Sequence, residues 1–110
     1  MDKNIKIHGE SWKLIDIQES IEWARNRDWK KQRWSNRAGL VSSGKVSDFV
    51  GQKYNSENTK LVKAGWEHDH CEICWWSLYE SEEPENGVGF TTDGHNWLCT
   101  ECFHTFIEKT

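Results

Sequence analysis

Apolar positions along this chain come in short runs, and each run predicts a small element. In "IKIHGESWKLID" (5–16) apolar and polar residues alternate briefly, which predicts a short strand and a turn. Asp16 followed by Glu19 has the spacing of a capping box and predicts a helix start. Ile17, Ile21 and Ala24 then recur at spacings of four and three, on one helical face. The pattern carries this helix to about Arg33, with a weak point near Asp28. Trp23 and Trp34 stand eleven residues apart, about three helical turns, and so form a second stripe. A helix apolar on two sides is expected to pack between other elements.

The middle of the chain is weaker in pattern. "AGLVSSGKVSDFVGQKY" (38–54) predicts only a short helical turn at "DFVG", capped by Ser47, and "NSENTKLVKAG" (55–65) reads as a surface loop. "ESEEPENG" (80–87) is acidic, holds the single proline, and reads as an exposed loop. "GVGFTTDGHNW" (87–97) predicts a hairpin turning at Asp93-Gly94, where glycine accepts the positive φ of a tight turn. "CTECFHTFIEK" (99–109) predicts a short helix with Phe103, Phe106 and Ile107 on its apolar face.

Composition adds a constraint. Only 35% of the 110 residues are hydrophobic, so the core is thin and a staple is expected. The polar start "MDKNIKIHGESW" has no apolar signal region, and no run reaches the roughly 18 apolar residues of a membrane span. The expectation is a soluble cytoplasmic protein without a membrane partner. In that reducing compartment paired cysteines favour a metal over disulfides.

Charge divides the chain. Residues 1–65 hold 13 lysines and arginines against 8 carboxylates, a net +5, whereas residues 66–110 hold 1 against 10, a net −9. The densest basic stretch, "WARNRDWKKQRWSNR" (23–37), interleaves tryptophan with arginine and lysine. Such a stretch can grip phosphates and stack bases, or it can be a solvated helix face. The candidate ligand-binding set is Trp23, Arg25, Arg27, Trp29, Lys30, Arg33, Trp34 and Arg37. The 8 tryptophans also suit a small core that needs large side chains.

The strongest chemical signal is the spacing of the 4 cysteines, Cys71 with Cys74 and Cys99 with Cys102. Each Cys-x-x-Cys turn presents two thiolates to one side of a metal, and two such turns complete a tetrahedron, the geometry of a structural zinc site. The order of knuckle, hairpin and helix-opening pair resembles the treble-clef class of zinc fingers. A rubredoxin-like iron site fits less well, because Trp75 and Phe103 stand where glycine would follow each pair and neither pair contains proline. His68 and His70 are candidates for hydrogen bonds around the site.

The tail "HNWLCTECFHTFIEKT" is similar to the end of HNH-type nucleases, which share this frame. Their general-base histidine sits on the first hairpin strand, yet "GVGFTT" contains none, and His104 falls one residue late. Without a base to activate water the mechanism lacks its centre. No phosphate-binding glycine loop, nucleophile elbow or His-Glu-x-x-His is present either.

The stretch from Gly65 to Phe103 resembles the C-terminal region of small uncharacterised bacterial and phage-type proteins, with a His-Asp-His-Cys-x-x-Cys-Trp start and a Trp-x-Cys-x-x-Cys-[Phe/Tyr] end. The likeness covers about a third of the chain and implies zinc binding alone. The expected fold is α+β: a mainly helical, basic part over 1–64, and an acidic, treble-clef-like four-cysteine zinc module over 65–110. The expected function is non-enzymatic protein–protein binding of an adaptor, inhibitor or immunity type. Binding of a nucleotide or small anion at 23–37 is the alternative. Nucleic-acid binding is third, disfavoured by the net charge of −4.

Overall fold

The structure is a computed structural model and describes residues 3–108. Residues 1–2 of the polar start, and Lys109 of the expected terminal helix, lie outside them. Strands β1 (Asn4–Ile7) and β2 (Glu10–Lys13) pair antiparallel around a His8-Gly9 turn. Both turn residues have positive φ, 52° and 80°, as a type I′ turn demands. Helix α1 (Leu14–Arg25) follows at once and buries Ile17, Ile21 and Ala24, the face anticipated from spacing. It starts two residues before Asp16 and has no side-chain cap, so the expected capping box does not form.

The helix does not run on to Arg33. The amide of Arg27 and the indole Nε1 of Trp29 both donate to the Ala24 carbonyl, at 3.2 and 2.8 Å, and this turns the chain away. Residues Lys30–Arg33 become strand β3, antiparallel to Val88–Thr91, with Lys31 opposite Phe90. An edge strand of exposed, charged residues satisfies its backbone on a neighbour and discourages further pairing. Trp34, expected on a helical stripe with Trp23, is instead 1% exposed in a separate cluster with Leu78 and Trp97.

A three-stranded antiparallel sheet replaces the helical turn and loop expected over 38–65. Strands β4 (Arg37–Ser42), β5 (Lys45–Asp48) and β6 (Lys60–Trp66) lie in the order β5-β4-β6. Ser43-Gly44, with φ of 51° and 77°, makes the β4–β5 turn. Ser47 pairs with Leu40 inside β5 and caps nothing. Gly39 permits close passage of β6, since a Cβ there would stand 3.0 Å from the backbone of Gly65 and Trp66.

Strands β7 (His68–His70) and β8 (Ser77–Tyr79) form a hairpin, followed by the single-turn helix α2 (Pro84–Gly87). Strands β9 (Val88–Thr91) and β10 (Trp97–Cys99) form another, so that the sheet order is β10-β9-β3. Their connection is wider than a two-residue turn. Asp93 accepts from the amides of His95 and Asn96, and Thr91 Oγ1 from Gly94, which satisfies a loop over 92–96. Helix α3 (Thr100–Cys102) closes the chain and widens into a π-helical turn, Phe103–Ile107.

The expected α+β frame with a helical N-terminal part is therefore corrected. Among the described residues strands hold 41% and helices 23%, in several small sheets. The main core joins Ile7, Ile17, Ile21 and Ala24 to Cys71, Cys74, Phe90, Leu98, Cys99, Cys102 and Phe106. It thus draws on both sides of residue 65.

A second link is polar. The Arg37 guanidinium, on β4, bridges Asp48 on β5 and Asp69 on β7, at 2.6 and 2.5 Å. His95 reaches Asp48 at 2.8 Å, and the indoles of Trp34 and Trp66 donate to Asp69. Burial opposes the charge of Asp48, but Arg37 and His95 outweigh it and hold the carboxyl below its ordinary value of 3.8.

A depressed folded-state value means that the unfolded chain takes the proton first, so this stability is present above the ordinary value and lost as pH falls through the folded one. Melting temperature should therefore drop in acid, and Asp48→Asn should flatten that drop; a variant with an undiminished acid limb would contradict this role. Arg37→Ala should cost about 2 kcal/mol in denaturant unfolding, because it leaves two partly buried carboxylates without their cation.

Candidate metal centre

Each cysteine pair is placed by its own local structure. In the first, Cys71 follows β7, its amide donates to the Trp76 carbonyl at 2.8 Å, and the Trp75 amide returns to the Cys71 carbonyl at 2.9 Å. The loop closes with Trp75 at φ 64°, the left-handed region. The Ile73 amide points at Cys71 Sγ, at 3.4 Å. In the second, Cys99 ends β10 and caps α3, its sulfur accepting from the Cys102 amide at 3.4 Å. Peptide N–H groups thus face sulfur in both, which favours thiolate charge.

The pairs are brought together by backbone. The Glu72 amide donates to the Trp97 carbonyl at 2.9 Å, beside a parallel bridge from Cys71 to Trp97. All four sulfurs then lie within 4.8 Å of one another, with Cys74 and Cys99 at 3.6 Å. A tetrahedral metal with sulfur at about 2.3 Å sets its ligands roughly 3.8 Å apart, so the cluster fits one ion. The cysteines are all buried and none forms a disulfide.

Electrostatics explain why such a cluster calls for a cation. Burial disfavours a charged Cys71, but hydrogen bonds from Cys102, Cys74 and Cys99 overcome it and hold this thiol well below its usual range. Cys102 is then pushed up, by its bonds to Cys71, Cys74 and Cys99 and by burial. Cys99 is favoured as thiolate by Cys102, yet Cys71, Cys74 and burial push it up overall. Protein donors alone thus favour the thiolate at Cys71 and oppose it at Cys99 and Cys102, and a metal ion reverses that. Glu72 is raised by burial and then by the negative charge of Cys71.

One participant is invisible to cysteine spacing. His8, from the β1–β2 turn, sets Nε2 3.3 Å from Cys99 Sγ. Its ring stacks on Trp76 at 3.7 Å and 11°, and its amide bonds to the Glu101 carboxylate. The signal in the sequence is a His-Gly pair between alternating residues, which marks a tight turn but not its destination. The anticipated histidines go elsewhere: His68 stacks on Trp66, and His70 leans on Trp75.

The basic set disperses. Arg27 sits 4.2 Å over the Trp23 ring, and Trp29 meets Trp23 edge-on at 5.9 Å, so these three stay together. Arg25 Nε donates to the Phe106 carbonyl and Arg33 Nη1 to that of Ser81. Lys30 is exposed on β3, Trp34 is buried, and Arg37 is held by its two aspartates. The cleft beside Arg33 is lined by Glu80 and Glu82, a poor surround for phosphate.

Compared with known protein families, curated proteins and solved structures, the chain matches none. The four-cysteine cluster remains as a site able to hold a metal ion.

Cys99→Ser should lose stoichiometric metal and the cooperative melting transition, α1 included, since α1 shares the core with the cysteines; a variant that keeps both would refute a structural centre. His8→Asn tolerates the positive φ but is shorter. It should weaken metal affinity roughly ten- to a hundredfold in a chelator competition while the protein stays folded.

Proposed function

We propose that this chain is a zinc-stabilised binding protein that acts by protein–protein contact, as an adaptor, inhibitor or immunity-type protein masks its target. Thiolate sulfur and four-coordinate closure favour zinc among the common ions. The observation that carries the proposal is the burial of all four cysteines, from 0 to 7% exposed. A centre with four protein ligands has no position left for water or substrate, so the metal's role is to hold the fold. The functional surface then lies outside it. That surface is acidic, with Glu67, Glu72, Glu80, Glu82, Glu83 and Glu85 exposed alongside Trp75 and Tyr79. Exposed aromatics within one sign of charge suit a basic protein partner.

A second proposal keeps one observation. The Arg27–Trp23–Trp29 cluster could stack and pair with a nucleotide or small anion. Nucleotides that raise the melting temperature, with the rise lost in Arg27→Ala, would favour it.

Metal analysis is expected to return one zinc per chain. Native mass measurement and pull-down from the source cell should show a protein partner whose capture weakens with salt. Absence of any stable partner, together with turnover of a substrate, would remove the proposal.

A further inference from the structure

Trp75 is the most costly residue of the cysteine knuckle. Its φ of 64° suits glycine, and its side chain is 70% exposed and belongs to neither buried cluster. A left-handed backbone is strained at a bulky residue, and burial of this indole does not offset it. The indole instead lines a cleft of about 190 Å³ together with Trp66, Asp69, His70, Cys71 and Glu72. The walls are held in place. Trp66 Nε1 donates to Asp69 Oδ1 at 3.1 Å, and Trp75 rests on His70 with ring centroids 5.3 Å apart. Asp69 is neutralised from behind by Arg37. Glu72 is exposed, and no lysine or arginine among the described residues pairs with it.

Two indoles and a carboxylate without a lysine or arginine partner, lining one cleft, make a receptor for a cation on an apolar stem. We propose that this cleft takes the ammonium head of a lysine side chain, plain or methylated, presented by a basic segment of a partner protein. This rests on the protein-binding proposal above and names the chemistry of its partner. An anion is excluded by Glu72 and by the net charge of −9 over residues 66–110. Lysine matches this lining because it carries a compact ammonium on an apolar stem that two indoles can cover.

The test uses the metal-loaded full chain and short basic peptides that differ at one position: lysine, trimethyl-lysine or uncharged norleucine. Binding is read from the indole Nε1–H signals of Trp66 and Trp75 by NMR. The lysine and trimethyl-lysine peptides should shift both signals saturably, and the norleucine peptide should not. Trp75→Gly relaxes the backbone, so it should keep the metal and hold or raise the melting temperature, yet bind at least about tenfold more weakly. Glu72→Gln should weaken binding and flatten its salt dependence. Equal binding of lysine and norleucine peptides, or undiminished binding by Trp75→Gly, would overturn the inference. A natural partner captured equally by the parent and Trp75→Gly would overturn the cleft's role while the protein-binding proposal stands. Turnover with no partner at all would instead remove that proposal.

Discussion

Four buried sulfurs within 4.8 Å of one another cannot all carry charge unless a cation shares the space. The rest of the structure depends on that constraint. The hydrophobic content, 35% of residues, is too thin to hold many short strands by itself, so the sulfur cluster serves as the centre of the main core. Ile7 and the buried face of α1 share one apolar cluster with the cysteines, Phe90, Leu98 and Phe106. The backbone bond from Glu72 to Trp97 ties the two knuckles together, which lowers the entropic cost of assembling the ligands.

Beside the sulfur centre runs a second, polar fastening. Asp69 sits two residues before Cys71 and gathers Trp34 and Arg37 from around the start of β4 and Trp66 from the end of β6. One carboxylate therefore ties the β5-β4-β6 sheet to the hairpin that carries the first cysteine pair. Groups with this many partly buried donors fix orientation more than they add stability. The sheet has few apolar contacts of its own, and Val46, Leu61 and Val62 remain exposed. Its position accordingly leans on a charge network that acid and salt can reach.

How much of this was legible depended on where the determining contacts lie. The cysteine quartet could be read because metal geometry imposes a spacing on sequence, and Ile17, Ile21 and Ala24 because a helix imposes another. "KKQR" carries no strand pattern. It becomes β3 only because β9 offers an edge and Trp29 ends the helix, both decided by residues distant from it or by a single indole bond. Strand β4 buries only the adjacent Gly39 and Leu40, and β5 and β6 are largely exposed, so the alternation that marks a strand is faint. Ser43-Gly44 marks a turn there but not the strands that it joins. The tryptophans were ambiguous in principle, since one residue type serves as core at Trp34 and Trp97 and as surface at Trp75.

The pairing of β3 with β9 also bears on portability. The cysteine-bearing hairpin completes its sheet with a strand from more than fifty residues upstream. Its inner ligand support, His8, comes from even farther away. Cut at residue 65, the acidic half would keep every sulfur but offer an open strand edge of Val88–Thr91 to any passing chain, and open edges seed aggregation. The four-cysteine centre is therefore not walled by its own half alone: a strand and a turn from the first third of the chain are part of its wall.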